Sequence, residues 1–415
     1  MRRFSIRPTA RGLTVALGGL LLTAIAGRFG EPDIVWLGLF LLGLPLLSLA
    51  TIPLWRPQLS AQRTVEPDFV PIGNYPYAKL FLTNNWPSAL TNVFFTDELP
   101  AVLGHDATFS LGRGLGRWQQ NVSYNIRADH RGHFQLGPLW ARSQDPLGMV
   151  RIKWRVAADT TRLRVTPRIW PLDGVSGRSS GGTPADATPQ RLGMPSADDV
   201  LIRDHRPGDD LRRVHWRASA KQGQLMVRLE ESPWEPTVLI FVDTRRSAHL
   251  REGPNGTLEW SISLVASVAD DLLAKRHRVT MLSTDGLVLT PSPGSPTQEQ
   301  EQMLDAMTEI TPSDRAHQIA ELDVVGPTEA RSLICALGLL QPADATGLIA
   351  LSKRAKQLIA VAPEAASFGV PHDVAKAHND ALRLLSAAGC LTHQYQLGET
   401  VPQAWRHLNA LRGAQ

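Results

Sequence analysis

The chain holds only two cysteines in 415 residues, Cys335 and Cys390, both set in apolar surroundings. That excludes a disulfide-stapled fold and points to buried thiols in a reducing compartment. An excess of one charge is also missing: 43 basic residues stand against 39 acidic ones, a formal net charge of +4. So small a surplus is a poor footprint for a nucleic-acid binder, and no aromatic platform for stacking bases accompanies it. No nucleophile elbow, His-Glu-x-x-His helix or phosphate loop occurs, so the common hydrolytic chemistries lack their motifs. His105, His130 and His133 have neither cysteine partners nor helical ligand spacing, and read as turn or edge histidines.

What is present begins with two apolar runs. The first extends from Leu13 to Ala26, and spans a bilayer core if Thr9 to Gly27 is used with Arg11 snorkelling. The second, Ile34 to Leu54, is long enough by itself, since about 20 residues cross the core. A cleaved signal peptide is the competing reading of the first run. The second span following within a few residues favours a helical hairpin. Arg2, Arg3, Arg7 and Arg11 precede the pair and Arg56 and Arg63 follow it, while the connecting loop sets Arg28 against Glu31 and Asp33. The positive-inside rule then places both ends of the hairpin in the cytoplasm, as a two-pass protein of the plasma (inner) membrane.

With 43% hydrophobic and 20% charged residues, a chain of this length is globular in type and expected to hold two or three domains. Residues 58–170 alternate and are punctuated by turn residues, which predicts an all-β, sandwich-like region. Tyr77–Thr83, Leu90–Thr96, Gln120–Ile126, Val150–Val156 and Arg162–Thr166 are its strand-like runs. Residues 171–200 are rich in Gly, Ser, Pro and Thr and read as a linker.

Thr237–Asp243 is a continuous apolar run ending in a carboxylate, as in a strand buried on both faces of a parallel sheet. Thr257–Lys275, Thr297–Glu309, Val374–Ala388 and Val401–Leu411 read as helices. Arg278–Leu282, Leu287–Leu289, Ser332–Leu339, Gln357–Val361 and Leu391–Gln396 read as strands. This alternation over residues 201–415 predicts a doubly wound α/β domain, whose ligands lie beyond the carboxyl ends of the strands, where Asp243 sits.

The most charged stretch lies just before that domain's first buried strand. Residues 202–228 gather Arg203, Asp204, His205, Arg206, Asp209, Asp210, Arg212, Arg213, His215 and Arg217 around Pro207-Gly208. So many charges cannot be buried separately; they pair with one another or face a partner. The Pro-Gly turn leaves Asp209 or Asp210 to cap a helix starting near Leu211, with Leu211, Val214 and Ala218 on its packed face. Arg212, Arg213, Arg217 and Lys221 remain on the other side, and Gly223 ends the helix. Trp216 is either core or an interface anchor.

These residues resemble the hallmark of the bacterial domain-of-unknown-function 58 family, carried here by Arg203, Arg206, Pro207, Gly208, Asp209, Asp210, Arg212, Trp216, Ser219 and Ala220. A second signature of that family, Arg-Gly-x-Phe-x-Leu-Gly-Pro and then Asp-Pro-Leu-Gly, is matched by Arg131–Pro138 and Asp145–Gly148. The resemblance implies a membrane-anchored protein whose last domain is similar to von Willebrand factor type A domains. It also implies a MoxR-type AAA ATPase as partner and a transglutaminase-like membrane protein as possible neighbour, with no established enzymatic activity. Type A domains usually hold Mg²⁺ through Asp-x-Ser-x-Ser. Here Asp243-Thr-Arg-Arg-Ser247 keeps Asp243 and Ser247 but puts Arg245 in the middle position. A guanidinium repels a cation, so no cofactor is expected, and Arg245 or Arg246 is expected to neutralise Asp243 instead. Thr284 and Asp285, after the next strand, could assist at such a site and are equally good turn residues.

The sequence therefore favours a non-enzymatic docking or scaffold protein without catalytic residues. Its partner surface is assigned to the 203–219 motif, including Arg213, His215 and Ser219. The alternative is a hydrolase pairing His205 or His215 with Asp204, Asp209 or Asp210.

Overall fold

The computed structural model describes residues 4–55, 59–85, 93–111, 117–158, 160–172, 202–204, 219–220, 223, 226–228, 237–314, 330–353 and 355–413. They divide into two compact units: residues 1–169 with 250–266 and 304–312, and residues 170–249 with 267–303 and 313–415.

The first unit opens with a short strand, β1 (Phe4–Pro8), followed by helices α1 (Ala10–Phe29) and α2 (Pro32–Trp55). Both helices are long and apolar enough to cross a membrane. At 20 residues α1 is about 30 Å long, so the shorter of the two apolar runs suffices once Arg11 and Arg28 are taken into the helix. Thr9 caps α1 by accepting from the Gly12 N–H, and Gly30 closes it in the left-handed conformation. The helices pack through small residues: a Cβ on Gly38 would lie 2.3 Å from the Thr23 hydroxyl, and one on Gly19 would lie 2.9 Å from the Gly38 carbonyl.

The β region contains β2 (Leu59–Glu66), β3 (Phe69–Pro71), β4 (Tyr77–Asn84), β5 (Val93–Asp97), β6 (Ala107–Leu111) and β7 (Trp118–Asn125). It continues with β8 (Gly132–Leu136), β9 (Leu139–Gln144), β10 (Val150–Arg155), β11 (Ala157–Ala158) and β12 (Thr161–Thr166). They form a five-stranded sheet β1-β10-β9-β5-β6, a four-stranded sheet β11-β2-β4-β7 and a three-stranded sheet β3-β12-β8. The long strands β2 and β4 serve two cores. Leu59, Ala61, Leu80 and Leu82 pack with Phe95, Ala141, Ile152 and Trp154; Val65 and Ala78 pack with Val70, Leu136, Leu163 and Val165.

Two readings of the N-terminal arginines change. Arg7 is not only a flank of a span: it lies in β1, which pairs antiparallel with β10 and so belongs to the sheet. Arg63 points inward, on the buried side of β2 between Ala61 and Val65. It sits at the junction of the two cores, where Nε donates to Asp97 Oδ2 (3.1 Å) and Nη1 donates to the Leu136 carbonyl (3.0 Å). The Tyr124 hydroxyl donates to Asp97 as well. Burial, with Asp97 beside it, pushes the Tyr124 phenol well above its usual value.

In the second unit β13 (Ile202–Asp204) and β14 (Met226–Arg228) form an antiparallel ladder. The main sheet contains β15 (Thr237–Val242), β16 (Arg278–Ser283), β17 (Gly286–Leu289), β18 (Ala330–Ala336), β19 (Ala355–Pro363) and β20 (Leu391–Tyr395). Its order is β17-β16-β15-β18-β19-β20, parallel except for β17. Numbered from β15, this is 3-2-1-4-5-6, the order of doubly wound sheets, with its switch point between β15 and β18. Among the described residues the helices of the C-terminal half are α3 (Thr257–Ala274), α4 (Pro296–Thr308), α5 (Pro342–Ser352), α6 (His372–Ala387) and α7 (Val401–Gly413). One face of the sheet joins Leu239, Phe241, Leu333 and Leu358 to Leu348 of α5 and Leu382 and Leu385 of α6. Cys335 and Cys390 lie in the same cluster as free, buried thiols, and burial raises both above the usual thiol range.

Helix α5 has no counterpart in the sequence reading, and the strand expected over 332–339 ends at Ala336. Residues 337–340 instead cross toward α5.

Candidate functional site

Asp243 follows β15 at the switch point of the sheet and is fully buried. Its carboxylate is held from several directions. Arg245 donates to it through Nε (2.9 Å to Oδ1) and Nη2 (2.7 Å to Oδ2), a forked ion pair. The Arg245 backbone N–H and the Thr284 hydroxyl reach Oδ1 at 3.1 and 3.3 Å, and the Gly338 N–H lies 3.4 Å from Oδ2. The third guanidinium nitrogen donates to Asp344 Oδ1 (3.0 Å).

Local chemistry explains the arrangement. Asp344 is the third residue of α5 and closes a capping box with Gln341, accepting the Gln341 N–H through Oδ2 (2.8 Å). Its other oxygen is thereby turned toward Arg245. Backbone bonds from Arg246 to Ser313 (2.8 Å) and from Ser313 to Thr244 (2.7 Å) fix the loop that carries the guanidinium. Gly338 is required at this approach, because a Cβ there would lie 2.5 Å from the Ala248 carbonyl. Burial acts to raise the Asp243 pKa, but the bonds and charge of Arg245, helped by His249, outweigh it and hold the group below 3.8.

The residues present do not fit Mg²⁺ at Asp243. A guanidinium stands where an oxygen ligand is needed, and both carboxylate oxygens already accept hydrogen bonds. Of the two arginines expected to neutralise Asp243, Arg245 does so, while Arg246 pairs with exposed Asp314. Ser247 is exposed in the 3₁₀ turn that follows. Thr284 joins the site, whereas Asp285 accepts from Ser313. Asp344, which the sequence reading missed, comes from a helix 99 residues away; its signal was the Gln341-Pro342-Ala343-Asp344 capping pattern.

Of the hallmark residues, Arg203 lies in the ladder opposite Val227. Ser219 accepts the Met226 N–H through Oγ (2.9 Å), so the hallmark serine ties the helical residues 219–220 to β14. Gly223 has φ +72 and bonds back to the Ser219 carbonyl, the helix-ending role expected of it. Arg206, Pro207, Gly208, Asp209, Asp210, Arg212, Arg213, His215 and Trp216 lie outside the described residues, as do His205 and most of the 171–200 linker.

Several residues of the second signature make structural contacts. Arg131 forks onto Glu259 and donates to the Met307 and Ile310 carbonyls. Gly137 has φ +95, and a Cβ there would press to 2.9 Å on the Arg63 guanidinium. Asp145 accepts the Leu147 (3.1 Å) and Val150 (2.6 Å) N–H groups and so folds the Asp-Pro-Leu-Gly turn. The carbonyls of that turn receive α1: Thr9 donates to Gly148 through its hydroxyl (2.7 Å) and to Met149 through its N–H (2.9 Å).

A basic face adjoins this joint. On the outward side of the five-stranded sheet the register aligns Arg7, Arg151 and Gln144 in one row and Lys153, Arg142 and Phe94 in the next. Arg155 and Trp140 form a third row. Lys153 lies 4.5 Å over the Trp140 ring and Arg142 lies 5.2 Å from that of Phe94. No acidic side chain stands in these rows.

By its architecture the chain is a protein with two apolar N-terminal helices, several β-sheets and a C-terminal α/β region of parallel strands. Residues 201–364 match the family model described as "Protein of unknown function DUF58", which supports the resemblance read from the hallmark. No curated protein matches. Among solved structures the chain is similar to the CARDB domain of the PF1109 protein from Pyrococcus furiosus (15% identity, 27% of this chain and 94% of that one, TM-score 0.19). It is also similar to a beta-glucosidase from Listeria innocua (8%, 26% and 16%, TM-score 0.17) and to the alkylpurine DNA glycosylase AlkC of Pseudomonas fluorescens (13%, 32% and 40%, TM-score 0.17). At such TM-scores these likenesses carry no argument about this chain.

Proposed function

We propose that the protein is a membrane-anchored, non-enzymatic docking protein: the hairpin tethers it, and the charged 203–219 segment with its α/β unit engages a MoxR-type AAA ATPase. The single observation that carries this reading is the Arg245 lock. Doubly wound sheets take their ligands at the switch point, and there the guanidinium closes the carboxylate that would otherwise be available for chemistry. Strand order and the Asp243-x-Arg-x-Ser247 sequence support a von Willebrand A-like identity for the unit, altered from metal-dependent to metal-free adhesion.

Arg2, Arg3, Arg11 and Arg56 support a cytoplasmic placement of both hairpin ends at the inner membrane, even without Arg63. The basic sheet face beside the joint suits anionic headgroups. A transglutaminase-like membrane protein is a second partner on this reading, and nucleic acid is not one.

The test is capture by the full chain in detergent, since β1 belongs to the sheet and a fragment starting at residue 58 lacks it. The wild type is expected to retain a MoxR-type AAA ATPase, and Arg212→Glu with Arg213→Glu to cut recovery at least fivefold. Equal recovery by the double variant would sink the role given to this segment.

A further inference from the structure

We infer that His393, Glu399 and His407 form a zinc site at the edge of the α/β sheet, a feature independent of the docking reading. His393 comes from β20, the edge strand, and His407 from α7, which packs on that strand. Glu399 lies in the turn between them. The three ligand atoms lie within 4.8 Å of one another: His407 Nδ1 is 2.9 Å and His393 Nε2 is 3.7 Å from Glu399 Oε1.

The turn presents the carboxylate. Gly398 takes φ +86, the Glu399 N–H bonds to the Gln396 carbonyl (3.0 Å), and Glu399 Oε2 accepts the Gln396 N–H (2.8 Å). One oxygen is thus fixed by backbone, leaving Oε1 aimed between two imidazoles. A simple hydrogen-bonded cluster satisfies only half of this group. His407 bonds to Glu399, yet His393 Nε2 is buried without a hydrogen-bond partner. Buried polar atoms are normally paired, and a cation held between this nitrogen and the carboxylate oxygen 3.7 Å away would satisfy both.

The dimensions agree. Zinc bonds of about 2.0–2.1 Å at tetrahedral angles put neighbouring ligand atoms roughly 3.4 Å apart; the two separations to Glu399 bracket that value, and the two imidazole nitrogens lie within 4.8 Å of each other. Two imidazoles and a carboxylate suit Zn²⁺ and its spectroscopic substitute Co²⁺ rather than the all-oxygen preference of Mg²⁺ or Ca²⁺. His407 is exposed, so the fourth position opens to solvent. The site would pin the edge strand to the last helix and leave one coordination position for water or an anionic group.

The experiment is a Zn²⁺ titration of the chelator-treated full chain in detergent, carrying no histidine tag, against a chromophoric competitor. Glu399→Gln and His407→Ala are compared with the wild type. One tight equivalent in the wild type, weakened at least tenfold in each variant, is expected, with tetrahedral Co²⁺ bands seen only in the wild type. Absence of tight Zn²⁺ binding in the wild type, or unchanged binding in both variants, would overturn the site. Unfolding curves without metal separate ligand loss from misfolding. His407 is mostly exposed, so its variant is expected to match the wild type there.

Discussion

Arg245→Ala is expected to destabilise the α/β unit by about 3–5 kcal/mol, the range found when one partner of a buried ion pair is removed. The guanidinium is the forked partner of Asp243 and also reaches Asp344, so its loss leaves two carboxylates buried together. Chemical denaturation followed by tryptophan fluorescence measures the loss. Asp243 adds a pH signature, because its pKa is depressed in the folded state. The stability it contributes is fully present above the usual carboxylate value of 3.8 and is lost as pH falls through the lower folded value. The variant is expected to lose this acid dependence. Arg245→Ser separates the lock from mere packing, since it restores Asp-x-Ser-x-Ser. If the unit is a modified type A domain, Mg²⁺ at 100 times its dissociation constant stabilises this variant by about 2.7 kcal/mol and leaves the wild type unchanged.

Asp97→Ala is expected to cost a similar amount, about 3–5 kcal/mol, in the β unit. Asp97 is fully buried and is a counter-ion of Arg63, so its removal takes this carboxylate from a guanidinium buried between two hydrophobic cores and takes an acceptor from Tyr124. The leftover charge, rather than the lost contact, dominates the cost. Replacing the whole group by Arg63→Met, Asp97→Leu and Tyr124→Phe is therefore expected to recover most of the stability. A triple variant as unstable as Asp97→Ala would show that the polar group itself holds the two cores together.

The N-terminal hairpin, the alternating strands and the buried strand ahead of Asp243 were legible because each is a local pattern of apolar residues. Arg245 was legible because one residue type in a motif reverses its chemistry. Strand β1 was hidden by its own arginine: Arg7 reads as a membrane flank until β10 supplies the partner strand. Arg63 was hidden in the same way, since a charged residue in an inward position is readable only once Asp97 is known to lie opposite. Helix α5 carries its apolar residues without a distinct stripe, and so lacked the periodicity that marked α3. With α5 missed, Asp344 was missed as well. The His393–Glu399–His407 grouping spans a strand, a turn and a helix, and no fixed spacing announces a site of that kind.

Photo-crosslinking in native membranes tests the docking account most directly, with the photoreactive residue placed at position 212 of the full chain. The account predicts a covalent adduct between this chain and a MoxR-type AAA ATPase, lost when the label is moved to Gln135 on β8. Adducts confined to lipid or to a second copy of the chain, with none to an ATPase, would contradict it.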